Sequence, residues 1–457
     1  MFTKLLIADR GEPALRIMRT CRALGIETVA VFSEADRGLD YLRQADESIC
    51  IGPAELADSY LNVPAIISAA ELTEAEAIHP GCGALATSPQ FAKMVTASGF
   101  QMIGPDAEML GLIADKSRTR SMLRNAGLLC VPDQECALPA TPEGLAALVK
   151  NLGFPIIVKG GTGNEALAAR VAHSPAALHL AISQMQAELR ACFSRSPLCA
   201  ERYFEFSRHI AIQVLADGHG HAIHLGSRDC SIRHERRELL AEAPAPLIPA
   251  ARLEEACQQC VAACLALNYR GLASFEMLYQ KGRFHFLAIT PRLDSAHAAT
   301  EMISGVDIVE EQLRIAAGEP LRHRQQDIKL QGHALECHIN AEHPFRFVPA
   351  TGRIGFWLMP GGPGIRIDAH CQVNYALTKG YPVLLGNLLA LGATRDSAIA
   401  RMRRALSETV IEGVRSNLRL HQGILDDDGF RRGGVPIGYL DEELAKRYRP
   451  GSSPRSR

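Results

Sequence analysis

The chain has 457 residues, 47% of them hydrophobic and 22% charged, with 49 basic and 50 acidic side chains giving a net charge of −1. That length allows about three domains and a large buried core. The charge balance gives no electrostatic case for nucleic acid or a membrane surface, and no apolar run reaches the roughly 18 residues of a membrane span.

Leu5-Leu6-Ile7-Ala8 reads as a short strand. A helix follows, with Pro13 in its first turn, Leu15, Ile17, Met18, Cys21 and Leu24 on one face, and Gly25 as its stop. Thr28-Val29-Ala30-Val31-Phe32 is the next strand, and the alternation continues to about Ile103. This predicts a parallel sheet covered by helices. Asp9-Arg10-Gly11-Glu12-Pro13 is no G-x-G-x-x-G turn and supports a dinucleotide site only weakly. The opening residues lack the features of a signal peptide, so a cytoplasmic protein is expected.

Asp115-Lys116 opens a helical stretch, and Phe154-Pro155-Ile156-Ile157-Val158-Lys159 reads as a strand. Asp217-Gly218-His219-Gly220 reads as a hairpin turn, which predicts exposure for His219, His221 and His224 rather than a metal site. Cys257, Cys260 and Cys264 share one face of a helix expected over Leu253–Leu267. Cysteine is a frequently buried residue, so a core stripe is expected there rather than a metal site. The thirteen cysteines are too sparse for a disulfide scaffold. A helix after Asp307 should end near Gly318, and the chain from about Gln331 forms a third unit. The tail, residues 446–457, should be disordered.

Several runs together resemble the biotin carboxylase family of ATP-grasp enzymes, over about residues 1 to 445. Ala8-Asp9-Arg10-Gly11-Glu12 is similar to the family's A-N-R-G-E, and Ala77-Ile78-His79-Pro80-Gly81-Cys82-Gly83 to A-I-H-P-G-Y-G. Arg228-Asp229-Cys230-Ser231 matches outright. Glu301-Met302-Ile303-Ser304-Gly305-Val306-Asp307 and Gly332-His333-Ala334-Leu335-Glu336-Cys337 are similar to further family runs. The resemblance implies a mixed α/β and α+β, three-domain ATP-grasp architecture. Its parts are an N-terminal α/β domain (1–114), an ATP-grasp domain (115–330) with a lid around 130–203, and a C-terminal domain (331–445). It also implies the family reaction: ATP activates bicarbonate, and the carboxyl group passes to biotin on a carrier protein.

By the same resemblance Lys116, Lys159, Glu201, His209, Leu278 and Ile437 match the family's nucleotide pocket. The catalytic end departs from it. The family writes F-x-E-x-N-x-R-x-Q-V-E-H where this chain has Phe286-Leu287-Ala288-Ile289-Thr290-Pro291-Arg292-Leu293-Asp294-Ser295-Ala296-His297. Of the metal ligands Glu276 remains, its partners being Ala288 and Thr290. The catalytic base is Ala296, a pocket lysine is Glu238 and the arginine that stabilises the biotin enolate is His338. Only Arg292 is retained, and Asp294 is a candidate substitute base on the same strand face. The lid's glycine run is Gly160-Gly161-Thr162-Gly163-Asn164-Glu165, and Glu165 to Arg170 should favour helix. Tyr381 to Asn387 should suit a packed strand. At the family's subunit interface Arg19 and Arg366 match, whereas Pro363 replaces a phenylalanine, so a dimer is possible.

These replacements predict weak ATP binding, a poor Mg²⁺ site and a poor biotin site. The reading they favour is an inactive paralogue acting through a partner: a carboxylase subunit, a biotin carrier protein or an intact paralogue. A working biotin carboxylase and an ATP-grasp ligase with a changed substrate are the alternatives.

Overall fold

The computed structural model describes residues 1–133, 138, 141–160, 168–191, 198–235 and 237–447. Five parallel strands open the chain, in the order Glu47–Gly52, Glu27–Ser33, Lys4–Ile7, Ala77–His79 and Gln101–Met102. The helix Gly11–Leu24 packs Leu15, Ile17, Met18 and Cys21 against this sheet. Gly25 ends it at φ 71°, a left-handed conformation that costs glycine little. The expected parallel, helix-covered sheet is therefore present.

The central element is an antiparallel sheet of eight strands. Its order is Arg283–Thr290, Arg270–Gln280, Arg208–Asp217, Ala222–His234, Arg237–Ala243, His333–Asn340, Leu384–Gly392 and Ile365–Ala369. Four backbone pairings join Arg237–Ala243 to His333–Asn340. One sheet thus runs across the boundary expected at residue 330 and brings the third unit's residues beside the cleft.

Cys257, Cys260 and Cys264 are buried on the helix Ala250–Ala266, in one core cluster with Ile210, Ile212, Val214 and Phe275. The hairpin at Asp217-Gly218 forms as expected, with His219 exposed. His224, however, is buried in the second strand, because it lies two residues inside the pairing. A smaller unit stands over the central sheet. Its three strands are Ala168–Ala172, Ile156–Gly160 and Leu198–Arg202, backed by the helices Pro142–Leu152 and Pro175–Ala191 around their own core of Leu148, Ile156, Val158, Met185 and Leu198.

Residues 168–170 belong to a strand paired with Ile156–Gly160, not to a helix. Five backbone pairings override a modest helix propensity. Residues 161–167, including Asn164 and Glu165, lie outside the described residues. So do 448–457 of the expected tail, whereas 446 and 447 fall in the helix Tyr439–Arg447. Among the described residues no helix is long and apolar enough to cross a membrane.

Candidate functional site

A cleft of about 1170 Å³ opens between the small three-stranded unit, the central sheet and the residues after Asn340. Lys116, Lys159, Glu201, His209, Leu278, Ile437, Glu276, Ala288, Thr290, Arg292, Glu238 and His338 all line it.

One wall carries a charge cluster. Asp115 caps the helix Lys116–Asn125 by accepting from the Arg118 N–H, which sets Lys116 at the cleft edge. Lys159 extends from Ile156–Gly160 and places Nζ 2.5 Å from Glu201 Oε2 on the neighbouring strand. Arg120, only 2% exposed, donates to the other Glu201 oxygen at 3.0 Å, to Asp133 at 2.7 Å and to the Leu287 carbonyl at 2.9 Å. Burial alone would raise the Glu201 pKa, but Lys159 and Arg120 outweigh it and hold it at about 2. Lys116 makes no hydrogen bond among the described residues; burial and the charge of Lys159 lower it to about 8. Leu278 pairs with His209 across the sheet, and the Ile437 N–H donates to the Ser207 carbonyl at 2.9 Å, so an apolar patch borders the cations.

Deeper in the cleft, His209 Nε2 lies 2.5 Å from Glu276 Oε2. Thr290 Oγ1 donates to the other Glu276 oxygen at 3.3 Å. Arg233 contacts the far ring nitrogen of the same histidine. Burial pushes Glu276 up, yet its contact with His209 leaves it below the usual carboxylate range. Ala288 stands opposite Glu276 in the pairing of the two strands and offers a methyl group.

At the far end, Asp294 is held by Arg228 and Ser274. Burial opposes its charge, but Arg228 and Ser274 keep its pKa below the ordinary value. A carboxylate so paired is a weak proton acceptor. Residues 291–296 follow the end of the strand at Thr290, so Asp294 and Ala296 share no strand face. Asp294 Oδ1 instead accepts from the Ala296 N–H at 3.1 Å. Ala296 does not line the cleft: it is 1% exposed and clusters with Ala211, Cys230 and Ala241.

Glu238 and His338 meet because their strands are neighbours, and His338 Nδ1 donates to the Glu238 carbonyl at 3.0 Å. Burial disfavours the imidazolium, but Glu336 and Glu238 outweigh it and raise His338 to about 9. Burial raises Glu238. Arg292 donates to the Leu293 carbonyl at 3.0 Å and lines the same end with Cys82. Beneath Cys82, Asp9 accepts from the Cys82 and Arg10 N–H groups, each at 2.7 Å.

The description "Biotin carboxylase, N-terminal domain" matches residues 1–110, "Carbamoyl-phosphate synthase L chain, ATP binding domain" residues 115–324, and "Biotin carboxylase C-terminal domain" residues 336–442. The chain is 48% identical to a biotin carboxylase of Allochromatium vinosum, over 97% of this chain and 99% of that one. The chain belongs to the biotin carboxylase family. It is 44% identical to the biotin carboxylase of Pseudomonas aeruginosa over 97% of this chain and 99% of that one. It superposes on the biotin carboxylase domain dimer of Hydrogenobacter thermophilus 2-oxoglutarate carboxylase, in complex with MgADP, ADP and bicarbonate, with TM-score 0.93 and 36% identity, covering 98% and 99% of the two chains. A biotin carboxylase of Campylobacter jejuni in complex with β,γ-ATP gives TM-score 0.91 and 35% identity, covering 97% and 99%. The fold is the three-part ATP-grasp architecture of this family.

Lys159 and Glu201 face the cleft from the three-stranded unit, and His209 and Leu278 from the central sheet. Ala288, Thr290, Glu238 and His338 line it as well, whereas Ala296 does not. The expected packed strand forms from Leu384 onward, with Leu385 to Asn387 buried in it, whereas Tyr381, Pro382 and Val383 precede it and line the cleft. Arg19, Arg366 and Asp368 border one surface hollow of about 390 Å³, with Arg366 bonded to Glu301 and Asp368.

Sequence reasoning missed Arg120, Arg228 and Arg233. Arg228 lay within a run that matched the family, which was a usable signal. Arg120 and Arg233 acquire their roles only from partners brought close by folding.

Proposed function

We propose that this biotin carboxylase family member binds a nucleotide through Lys116, Lys159, Glu201, His209, Leu278 and Ile437 and does not carboxylate biotin. It then acts as a regulatory or structural subunit beside a carboxylase partner. The carrying observation is the pairing of Glu276 with Ala288 while the lysine wall stays intact. Phosphoryl transfer is catalysed by positioned cations and metal ions on the transferring group. Glu276 as the sole carboxylate of the former pair, already bonded to His209 and Thr290, makes a poor Mg²⁺ site. Carboxylation also needs a base for the weakly acidic biotin N–H. Ala296 has no such group, and Asp294 is spent on Arg228 and Ser274.

The second reading is a working biotin carboxylase with ATP, Mg²⁺, bicarbonate and carrier-bound biotin as its ligands. The 48% identity to a biotin carboxylase over nearly the whole chain supports it, as do the Mg²⁺, ADP and bicarbonate of the Hydrogenobacter protein. Bicarbonate- and biotin-dependent ADP release separates the two. Absence of release, beside an intact family member assayed in parallel, supports the first reading. Release at a comparable rate establishes the second. Co-purification from the native host tests for a carboxylase subunit, a biotin carrier protein or an intact paralogue as partner.

A further inference from the structure

At the place where two carboxylates would hold a divalent ion, the chain presents a row of its own groups: Arg233, His209, Glu276 and Thr290. The order of donors fixes the protons. A guanidinium can only donate, so His209 Nδ1 accepts from Arg233. The ring hydrogen then sits on Nε2, which lies 2.5 Å from Glu276 Oε2. The other Glu276 oxygen accepts from Thr290 Oγ1. A magnesium ion needs oxygen ligands at about 2.1 Å in octahedral array. Here the imidazole lies against one oxygen, a hydroxyl donates to the other, and the opposite strand supplies a methyl group at Ala288. The residues present do not fit the metal.

We infer that Arg233, acting through His209, is a built-in cation that replaces the divalent metal at Glu276, so that the cleft takes a nucleoside diphosphate in metal-free form. The inference rests on the nucleotide reading above and adds the ionic state of the ligand. Arg233 lines the same cleft as Lys116 and Lys159, so three cationic side chains border the ligand space beside the carboxylates of Glu201, Glu238 and Glu276. Ile157, Phe204, Leu278 and Ile437 on the cleft wall suit the apolar face of a base. A nucleotide that arrives with Mg²⁺ would bring a second cation to a carboxylate that already has one.

Two measurements on the full chain test this. The first titrates Mn²⁺ without nucleotide and follows the free-ion electron paramagnetic resonance signal. Wild type should leave that signal undiminished. Stoichiometric Mn²⁺ uptake that Glu276→Gln abolishes would overturn the inference. The second is calorimetric titration with ADP, in EDTA and in excess Mg²⁺. Affinities in the two buffers should agree within about three-fold, and Arg233→Gln should weaken ADP about ten-fold in EDTA while Arg233→Lys keeps most of the affinity. ADP binding only with Mg²⁺ would also overturn it. If ADP binds in neither buffer, the nucleotide reading falls together with the ligand named here, and the Mn²⁺ titration alone decides whether the metal has been replaced.

Discussion

Ala288 stands directly opposite Glu276 in the antiparallel pairing of Arg270–Gln280 with Arg283–Thr290. Carboxylates at both of these facing positions would be presented to one ion, and here one of the two is a methyl group. Ala288→Glu should therefore place like charges on facing strand positions and destabilise the fold by about 1 kcal/mol. Added Mg²⁺ should return part of that loss in the variant and change nothing in wild type. Thermal melts of both proteins with and without Mg²⁺ read this out; an equal Mg²⁺ response in wild type would contradict it.

Glu201 joins Arg120 and Lys159 at 3.0 and 2.5 Å and is itself buried. Glu201→Gln leaves two cations facing each other with Asp133 as the remaining counter-charge on Arg120. The expected loss is about 3 kcal/mol, measured by urea denaturation. A loss below 1 kcal/mol, on the order of an exposed pair, would mean that solvent screens the cluster.

Lys116, Lys159, Glu201, His209, Leu278 and Ile437 were singled out by the family resemblance and not by any local pattern, and the structure brings all six to one cleft. Three other features were hidden. Residues 168–170 carry good helix formers but pair with Ile156–Gly160, so tertiary pairing overrode local preference. Ala296 looked like a cleft position and is sealed among Ala211, Cys230 and Ala241. The Arg228–Asp294 and Arg120–Glu201 pairs join residues 66 and 81 positions apart, which no local pattern announces.

His338 is raised from 6.5 to about 9 because Glu336 and Glu238 outweigh its burial. A histidine with a raised folded pKa binds its proton more tightly in the native state. Its stabilisation is complete below pH 6.5 and disappears as pH rises through about 9. Wild type should therefore lose stability across that window relative to His338→Gln, which lacks the titrating group. Denaturation curves at matched pH values give the difference; parallel profiles would show that His338 carries no proton there.

Lys116 is lowered to about 8 by burial and the charge of Lys159. If ADP binds at this wall, its affinity should fall as pH rises past 8, by up to about ten-fold per unit, because the free protein releases a proton that the complex needs. Lys116→Gln should bind more weakly and lose that slope. Calorimetry over the same range checks both, and a wild-type affinity independent of pH would place the phosphates away from Lys116.

Restoring the family side chains should not restore carboxylation. The five changes are Ala288→Glu, Thr290→Asn, Ala296→Glu, Glu238→Lys and His338→Arg. Ala296→Glu drives a carboxylate into a closed cluster of small residues, with a cost of about 3 kcal/mol. Glu238→Lys with His338→Arg exchanges a carboxylate beside an imidazole for two neighbouring cations. Arg228 still holds Asp294, and Arg233 still holds His209. Catalytic groups act as a unit and need neighbours that fix their positions, so repair of one layer is far from additive. We expect the five-fold variant to melt lower than wild type and to release no ADP in response to bicarbonate and biotin. A four-fold variant without Ala296→Glu should regain most of the stability and remain inactive, which separates failure to fold from failure to react. Turnover by either variant near that of an intact biotin carboxylase would show that Arg228, Arg233 and the lid sequence do not obstruct the reaction.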